Sequence, residues 1–180
     1  MQSTGASPQP RLLSHPVLSV LHAYWQSKCG ERTMPARSEI APEDLKPILG
    51  CVMLTDVLAD GRLRFRLVGT EVERLFGRRM TGEYADDLLI GAYGQNVLAL
   101  YRRTISDRRP VFSRDVVHTQ SGAQMISERV MLPLSNDGAI VNMVITGQTY
   151  RFDSKATGMT MIIANKAATK IVHEEVAKAT

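Results

Sequence analysis

Residues 51–77, CVMLTDVLADGRLRFRLVGTEVERLFG, read as a strand, a tight turn, a second strand and a helix entered without a linker. Residues 51–58 are mostly apolar and carry two β-branched valines, which suits a buried strand. Asp60-Gly61 is a turn dipeptide, because glycine accepts positive φ without a Cβ clash. The next stretch alternates: Leu63, Phe65 and Leu67 face one way, while Arg62, Arg64 and Arg66 face the other. Thr70-Glu71-Val72-Glu73 has the form of a capping box, with the Thr70 hydroxyl on the Glu73 amide and the Glu73 carboxylate reaching back. On that reading Thr70→Ala costs about 1 kcal/mol. Leu75 and Phe76 follow, and Gly77 is a helix stop.

Working outward towards the N-terminus, residues 1–11 are polar with a glycine and two prolines and read as a mobile tail. Ser14 and Pro16 open a helix over 15–29. Val17, Leu18, Leu21, Tyr24 and Trp25 make its apolar face. A loop with Pro35 leads to a short helix from Pro42, broken or irregular at Pro47. Beyond the central unit, a short helical stretch spans Tyr84–Leu89. A longer helix over Gly91–Arg109 sets Val97, Leu98, Tyr101, Thr104 and Ile105 on one face. Pro110 ends it. Three strands follow as an antiparallel meander: Val111–His118, Gln124–Leu134 and Ala139–Arg151. The last is apolar on both faces, so both faces of the sheet need cover. The internal helices cover one, and the helix at 15–29 or a second subunit covers the other. Residues 153–163 are ambiguous, and the spacing of Ile163, Ala167 and Ile171 allows a helix over Ala164–Lys178.

The chain has 180 residues, 44% of them hydrophobic and 22% charged, which is enough for a packed core. Its net charge of +4 comes from scattered arginines, with 6% aromatic residues, so a dense nucleic-acid stripe is missing. Cys29 and Cys51 form no CxxC pair, no apolar run is long enough to span a membrane, and the N-terminus lacks signal-peptide regions. A cytoplasmic, reduced protein is expected. His15, His22, His118 and His173 fall in no catalytic or metal motif. Asp86-Asp87 reads as a surface or capping pair, since neighbours on a helix diverge by about 100°.

Tyr24-Trp25, the run Met34-Pro35-Ala36-Arg37 followed by Ile40 and Pro42, and Phe65-Arg66-Leu67-Val68-Gly69-Thr70 recur in a recognisable order. Gly77, Thr81-Gly82 and Leu132-Pro133-Leu134 continue it. In these residues, over roughly 20 to 150, the chain resembles the short stand-alone PAS proteins of bacteria. The resemblance implies an α+β PAS fold, a five-stranded antiparallel sheet with inserted helices. The PAS domain spans 50–151, with a helical N-terminal extension over 1–49 and a tail over 152–180. It also implies a non-catalytic sensor or adaptor in signal transduction, working through a small ligand, a regulatory protein partner or self-association. No catalytic set comes with it, and 180 residues leave no room for a separate output module.

An apolar pocket between the long helix and the sheet is the expected ligand site, with Phe76, Tyr84, Tyr93 and Tyr101 as lining groups or as plain core filling. Arg66 either pairs with a local carboxylate or grips an acidic ligand. A small enzyme or carrier for an apolar carboxylic acid is the alternative function. Val17, Leu18, Leu21, Tyr24 and Trp25 are expected to bury themselves in a homodimer, so that deleting residues 1–30 yields a monomer. Haem and flavin are disfavoured: residues 91–109 hold no histidine and residues 70–110 no cysteine. The purified protein is therefore expected to be colourless, and a stoichiometric visible absorption band would contradict this.

Overall fold

The structure, a computed structural model, describes residues 15–119, 122–153 and 168–175. Residues 1–14, which include the expected tail and Ser14 cap, lie outside the described residues. In chain order the elements are α1 (Pro16–Cys29), 3-10 turns at Arg37–Glu39 and Pro42–Cys51, β1 (Val52–Val57), β2 (Leu63–Val68), α2 (Thr70–Phe76), α3 (Ala85–Leu88), α4 (Gly91–Asp107), β3 (Val111–Thr119), β4 (Gln124–Leu134), β5 (Met143–Phe152) and β6 (Ala168–Glu175). The strands form one antiparallel sheet in the order β2-β1-β5-β4-β3-β6. The five expected strands and their inserted helices are all present.

Three local expectations fail for identifiable reasons. The stretch over 168–175 is a sixth strand, paired with β3, rather than a helix. Thr169, Ile171 and Val172 favour a strand, and the pairing covers a backbone edge that β3 would otherwise leave open. The alternation of β2 breaks at a bulge in its pairing with β1: Leu54 pairs with Leu67, yet Thr55 pairs with Phe65. The extra residue turns Leu67 out to 37% exposure while Leu63 and Phe65 stay buried. The capping box does not form. Gly69 is the N-cap of α2, without a side-chain cap, and its carbonyl accepts from the Val72 and Glu73 amides at 3.0 Å each. Glu73 instead turns its carboxylate to the Met80 amide (2.9 Å) and the Thr81 amide (3.4 Å).

The sheet has an inner face under α4 and an outer face under α1. Leu18, Leu21 and Trp25 of α1 are buried, and the Trp25 indole Nε1 donates to the Pro133 carbonyl at 2.9 Å. Gly147 on β5 makes this approach possible. A Cβ there would stand 2.8 Å from Leu21 Cδ2 and 3.1 Å from Leu18 Cδ2. Val17 and Tyr24 pack at the margin, with the Tyr24 hydroxyl donating to Asp44 Oδ2 (3.1 Å) and accepting from the Ala41 amide (2.9 Å). The face assigned to a partner is thus largely consumed within the chain. Burying each large apolar side chain is worth about 1.5–3 kcal/mol, and the chain's own sheet supplies that burial. Removing α1 would uncover the outer sheet face rather than simply split a dimer.

Two outcomes follow from this packing. Thr70→Ala should leave the urea midpoint within about 0.5 kcal/mol of the parent, as for an ordinary surface site; a loss near 1 kcal/mol would restore the cap. His22 lies 6.3 Å from the Trp25 ring and edge-on to Phe112 at 5.1 Å, and burial holds its imidazole below the ordinary value of 6.5. The unfolded chain then binds the proton more readily, so stability is full above pH 6.5 and falls as the pH drops through it, levelling off below the folded value. His22→Gln should flatten that slope in melts read by Trp25, the single tryptophan. An unchanged slope would exclude His22.

Candidate ligand site

The inner face is built by alternation in the strands and by a helical period in α4. Tyr93, Val97 and Tyr101 recur every four residues on α4 and face the sheet. From below, β1 contributes Met53 and Thr55, β5 contributes Thr146, Gln148 and Tyr150, β4 contributes Ser127 and Arg129, and β3 contributes Ser113 and Asp115. Between them lies a cavity of about 10 Å³, lined on its apolar side by Met53, Phe65, Phe76, Met80, Leu89 and Val97 and on its polar side by Tyr93, Tyr101, Gln148 and Tyr150. That is room for about one water molecule.

The polar side ends in a fully buried charge. Arg129 is 0% exposed, as is Asp115. Arg129 Nη1 lies 2.7 Å from Asp115 Oδ2, a close ion pair at an angle outside hydrogen-bond geometry. Nη1 also donates to Ser113 Oγ at 3.3 Å. Nη2 donates to Ser127 Oγ at 2.9 Å and to the Tyr93 hydroxyl. Gln148 Nε2 donates to the same two oxygens, at 3.0 Å and 3.3 Å, and Asn96 Nδ2 donates to Asp115 Oδ1 at 3.2 Å. Desolvation, the largest single influence, pulls the Arg129 guanidinium down, but Tyr93, Asp115, Tyr150 and Tyr101 together outweigh it and hold it above its ordinary value. The guanidinium is charged at any physiological pH. Burial pushes the Tyr101 and Tyr150 phenols up, Tyr150 strongly, so both stay protonated. The Tyr101 hydroxyl is shared with Thr55 Oγ1 (3.0 Å) and Thr146 Oγ1 (3.4 Å). Besides the ion-paired Asp115 Oδ2, the buried Arg129 Nε and Tyr150 hydroxyl make no hydrogen bond of good geometry, and the Tyr150 hydroxyl interacts with that of Tyr93.

Of the residues singled out from sequence, Phe76, Tyr93 and Tyr101 line this cavity. Arg66 and Tyr84 do not. Arg66 Nε meets Asp56 Oδ1 at 2.9 Å, and Arg64 takes the other oxygen at 3.1 Å, on the outer face of β1 and β2. Tyr84 lies under the Arg62 guanidinium, 3.8 Å from ring centroid to Cζ, while Arg62 also takes Asp87 (2.9 Å) and Asp86 (3.5 Å). Arg129, Asp115, Ser127, Gln148 and Tyr150 were not anticipated. The available signal was parity: Ser113 and Asp115 on one strand, and Ser127 and Arg129 on its neighbour, place pairs of polar groups on the inner face.

The cavity as packed here is far smaller than a flavin or a haem. Ligand pockets of drug size run to roughly 300–1,000 Å³, against about 10 Å³ here. The polar end is occupied by the ion pair and its tyrosines. Among the described residues no group of three or more His, Cys, Asp or Glu is placed to hold a metal, and no helix is long and apolar enough to cross a membrane. Burial raises both thiols, Cys29 and Cys51, so neither is activated.

The pair should behave as a buried ion pair under mutation. Asp115→Ala strands the guanidinium and should cost about 3–5 kcal/mol in urea melts. Combining it with Arg129→Met should recover most of that loss, because an apolar pair leaves no uncompensated charge. Additive losses in the double variant would contradict the pairing.

A family model described as PAS domain matches residues 13–148. No curated protein matches the chain. Solved structures of similar shape include the Rhodobacter sphaeroides LOV protein, at 14% identity and a TM-score of 0.41, covering 55% of this chain and 58% of that one. A LOV domain studied with a flavin analogue aligns at 12% identity and a TM-score of 0.46, covering 63% and 86%. The light-state structure of the blue-light photoreceptor Aureochrome1 LOV aligns at 16% and 0.43, covering 69% and 95%. The chain thus spans less than two thirds of the Rhodobacter protein, and at these identities the likeness bears on shape alone. The family match takes in α1, the 3-10 turns, the inserted helices, β1 to β4 and most of β5, and by it this chain belongs to the PAS domain family.

Proposed function

We propose that this chain is a non-catalytic PAS regulatory domain that receives a small ligand at the polar end of its interior cavity and passes the change on by association with a partner or with itself. The observation that carries this reading is the cavity itself, walled by Tyr93, Gln148 and Tyr150 and backed by a charged guanidinium. Converging polar groups at the end of an apolar recess are how small-molecule sites fix orientation. The lining residues favour binding over turnover. They are apolar groups, one amide and three tyrosines, of which burial keeps Tyr101 and Tyr150 protonated. A nucleophile or general base would need a poised proton acceptor among them.

The alternative, an enzyme or carrier for an apolar carboxylic acid, draws no support from the strand arginines. Arg62, Arg64 and Arg66 are engaged by Asp56, Asp86 and Asp87 away from the cavity. A space of about 10 Å³ also has no room for an apolar tail.

Native mass spectrometry of protein purified from cells tests the reading. The expected result is the chain mass alone or with a compact adduct, together with the oligomeric state. A stoichiometric flavin, haem or long-chain acid would overturn it.

A further inference from the structure

We infer that residues 77–84 are a strap latched onto the edge of β2 by the Glu73 carboxylate, and that this strap swings off the edge while the rest of the sheet stays folded. It is a conformational device separate from the polar cluster around Arg129.

The argument starts from the edge. β2 ends the sheet on one side, and an edge strand leaves backbone groups open unless something covers them. The strap is that cover. The Gly82 amide donates to the Phe65 carbonyl at 2.6 Å, and the Phe65 amide donates to the Glu83 carbonyl at 2.9 Å. Tyr84 makes a single bridge to Arg64, and the Val68 amide donates to Thr81 Oγ1 at 3.2 Å. Apolar burial does little to hold this segment. Met80 is buried, while Gly77, Arg78, Arg79, Thr81, Gly82 and Glu83 are exposed. Gly77 and Gly82 bend it at positive φ, 67° and 92°. Few buried apolar contacts and exposed backbone bonds mark a segment that opens more readily than the sheet it covers.

What holds it is one carboxylate on α2. Glu73 Oε1 accepts from the Met80 amide (2.9 Å), the Thr81 amide (3.4 Å) and the Thr81 hydroxyl (3.4 Å). Bonds to an ionised acceptor are the stronger kind. The Thr81 hydroxyl passes the hold on, because it also accepts from the Val68 amide, so α2, the strap and β2 form one chain of bonds. The Met80 amide, aided by the Thr81 amide and the charge of Arg79, keeps the Glu73 carboxyl below its ordinary 4.5. Beyond the strap, Tyr84 lies under the Arg62 guanidinium. Opening frees the Phe65 amide and carbonyl and lifts Met80 off Phe65 and Phe76, its neighbours in the cavity wall. That is the state in which a sheet edge accepts a further strand.

The test is amide hydrogen exchange of the full chain at neutral pH, followed residue by residue. Glu73→Ala should speed exchange at the Phe65, Val68, Met80 and Gly82 amides by about tenfold or more, as for lost bonds to a charged group. The Val130 and Ile145 amides, in β4 and β5, should stay within about twofold of the parent. If Glu73→Ala does not fold, acid gives the same answer in the parent. A carboxyl with a depressed value in the closed state holds the strap above pH 4.5 and releases it as the pH falls through that value, so Phe65 and Gly82 should lose protection before Val130. Glu83, 3.5 Å from Arg78, and Asp86 and Asp87, on Arg62, also titrate there. Glu73→Gln, which cannot ionise, should lack the step and so separates Glu73 from them. Unchanged exchange at the strap and β2 amides in Glu73→Ala, or a rise shared equally by Val130 and Ile145, would overturn the latch. So would an acid step that survives in Glu73→Gln.

Discussion

The interior of this domain depends on one ion pair. Arg129 and Asp115 sit on neighbouring strands with no exposure to water, and α4, β3, β4 and β5 all supply groups to the cluster around them. Taking two charges out of water costs several kcal/mol per ion unless the remaining lone pairs and protons find partners. Here α4 supplies Tyr93 and Asn96, β3 supplies Ser113, β4 supplies Ser127 and β5 supplies Gln148. The helix is therefore pinned to three strands by polar contacts as well as by Val97 and Leu98. A helix held this way has one register on the sheet, because sliding it by a turn would leave a buried guanidinium unmatched. The same network also places Tyr93 and Gln148, two of the groups on the polar side of the cavity.

The outer face works by different physics. No charge is buried under α1 at Leu18, Leu21 and Trp25. The contact is made by apolar area, the close approach allowed at Gly147, and one indole-to-carbonyl bond to Pro133. Such a contact is easier to loosen than the inner network, because parting it breaks a single hydrogen bond between neutral groups. The two faces of one sheet thus have unequal resistance to change. Gly147 and Gln148 are adjacent on β5, one under α1 and the other in the polar cluster, so a shift in that strand would be felt on both sides.

Most of the architecture was legible in the sequence. The period-2 and period-3.6 patterns located α1, α4 and the five core strands to within a few residues, because each buries one face and exposes or covers the other. What escaped was context. Thr70 carries the residue signature of a cap, yet Gly69 already occupies the turn and the Glu73 carboxylate finds the Met80 amide, a partner that sequence spacing does not display. Leu67 obeys alternation on paper, but a one-residue bulge reverses its direction. The strand at Ala168–Glu175 was hidden because its reason is the open edge of β3, far away in sequence. Among the site residues, aromatic character pointed correctly to Tyr93 and Tyr101. Arginines on an exposed strand were the more conspicuous ones, while Arg129, between Glu128 and the apolar Val130-Met131-Leu132, is the one that is buried.

The central claim is that a charged guanidinium is sealed between α4 and the sheet. Resonances of the Arg129 side chain test it directly in protein labelled with ¹⁵N. A sealed, hydrogen-bonded guanidinium should show resolved Nη protons that exchange slowly at neutral pH and give Overhauser contacts to the Tyr93 ring. Arg66, exposed at the surface, should show fast exchange under the same conditions. Arg129 protons exchanging as fast as those of Arg66, or lacking any contact to Tyr93, would contradict the account.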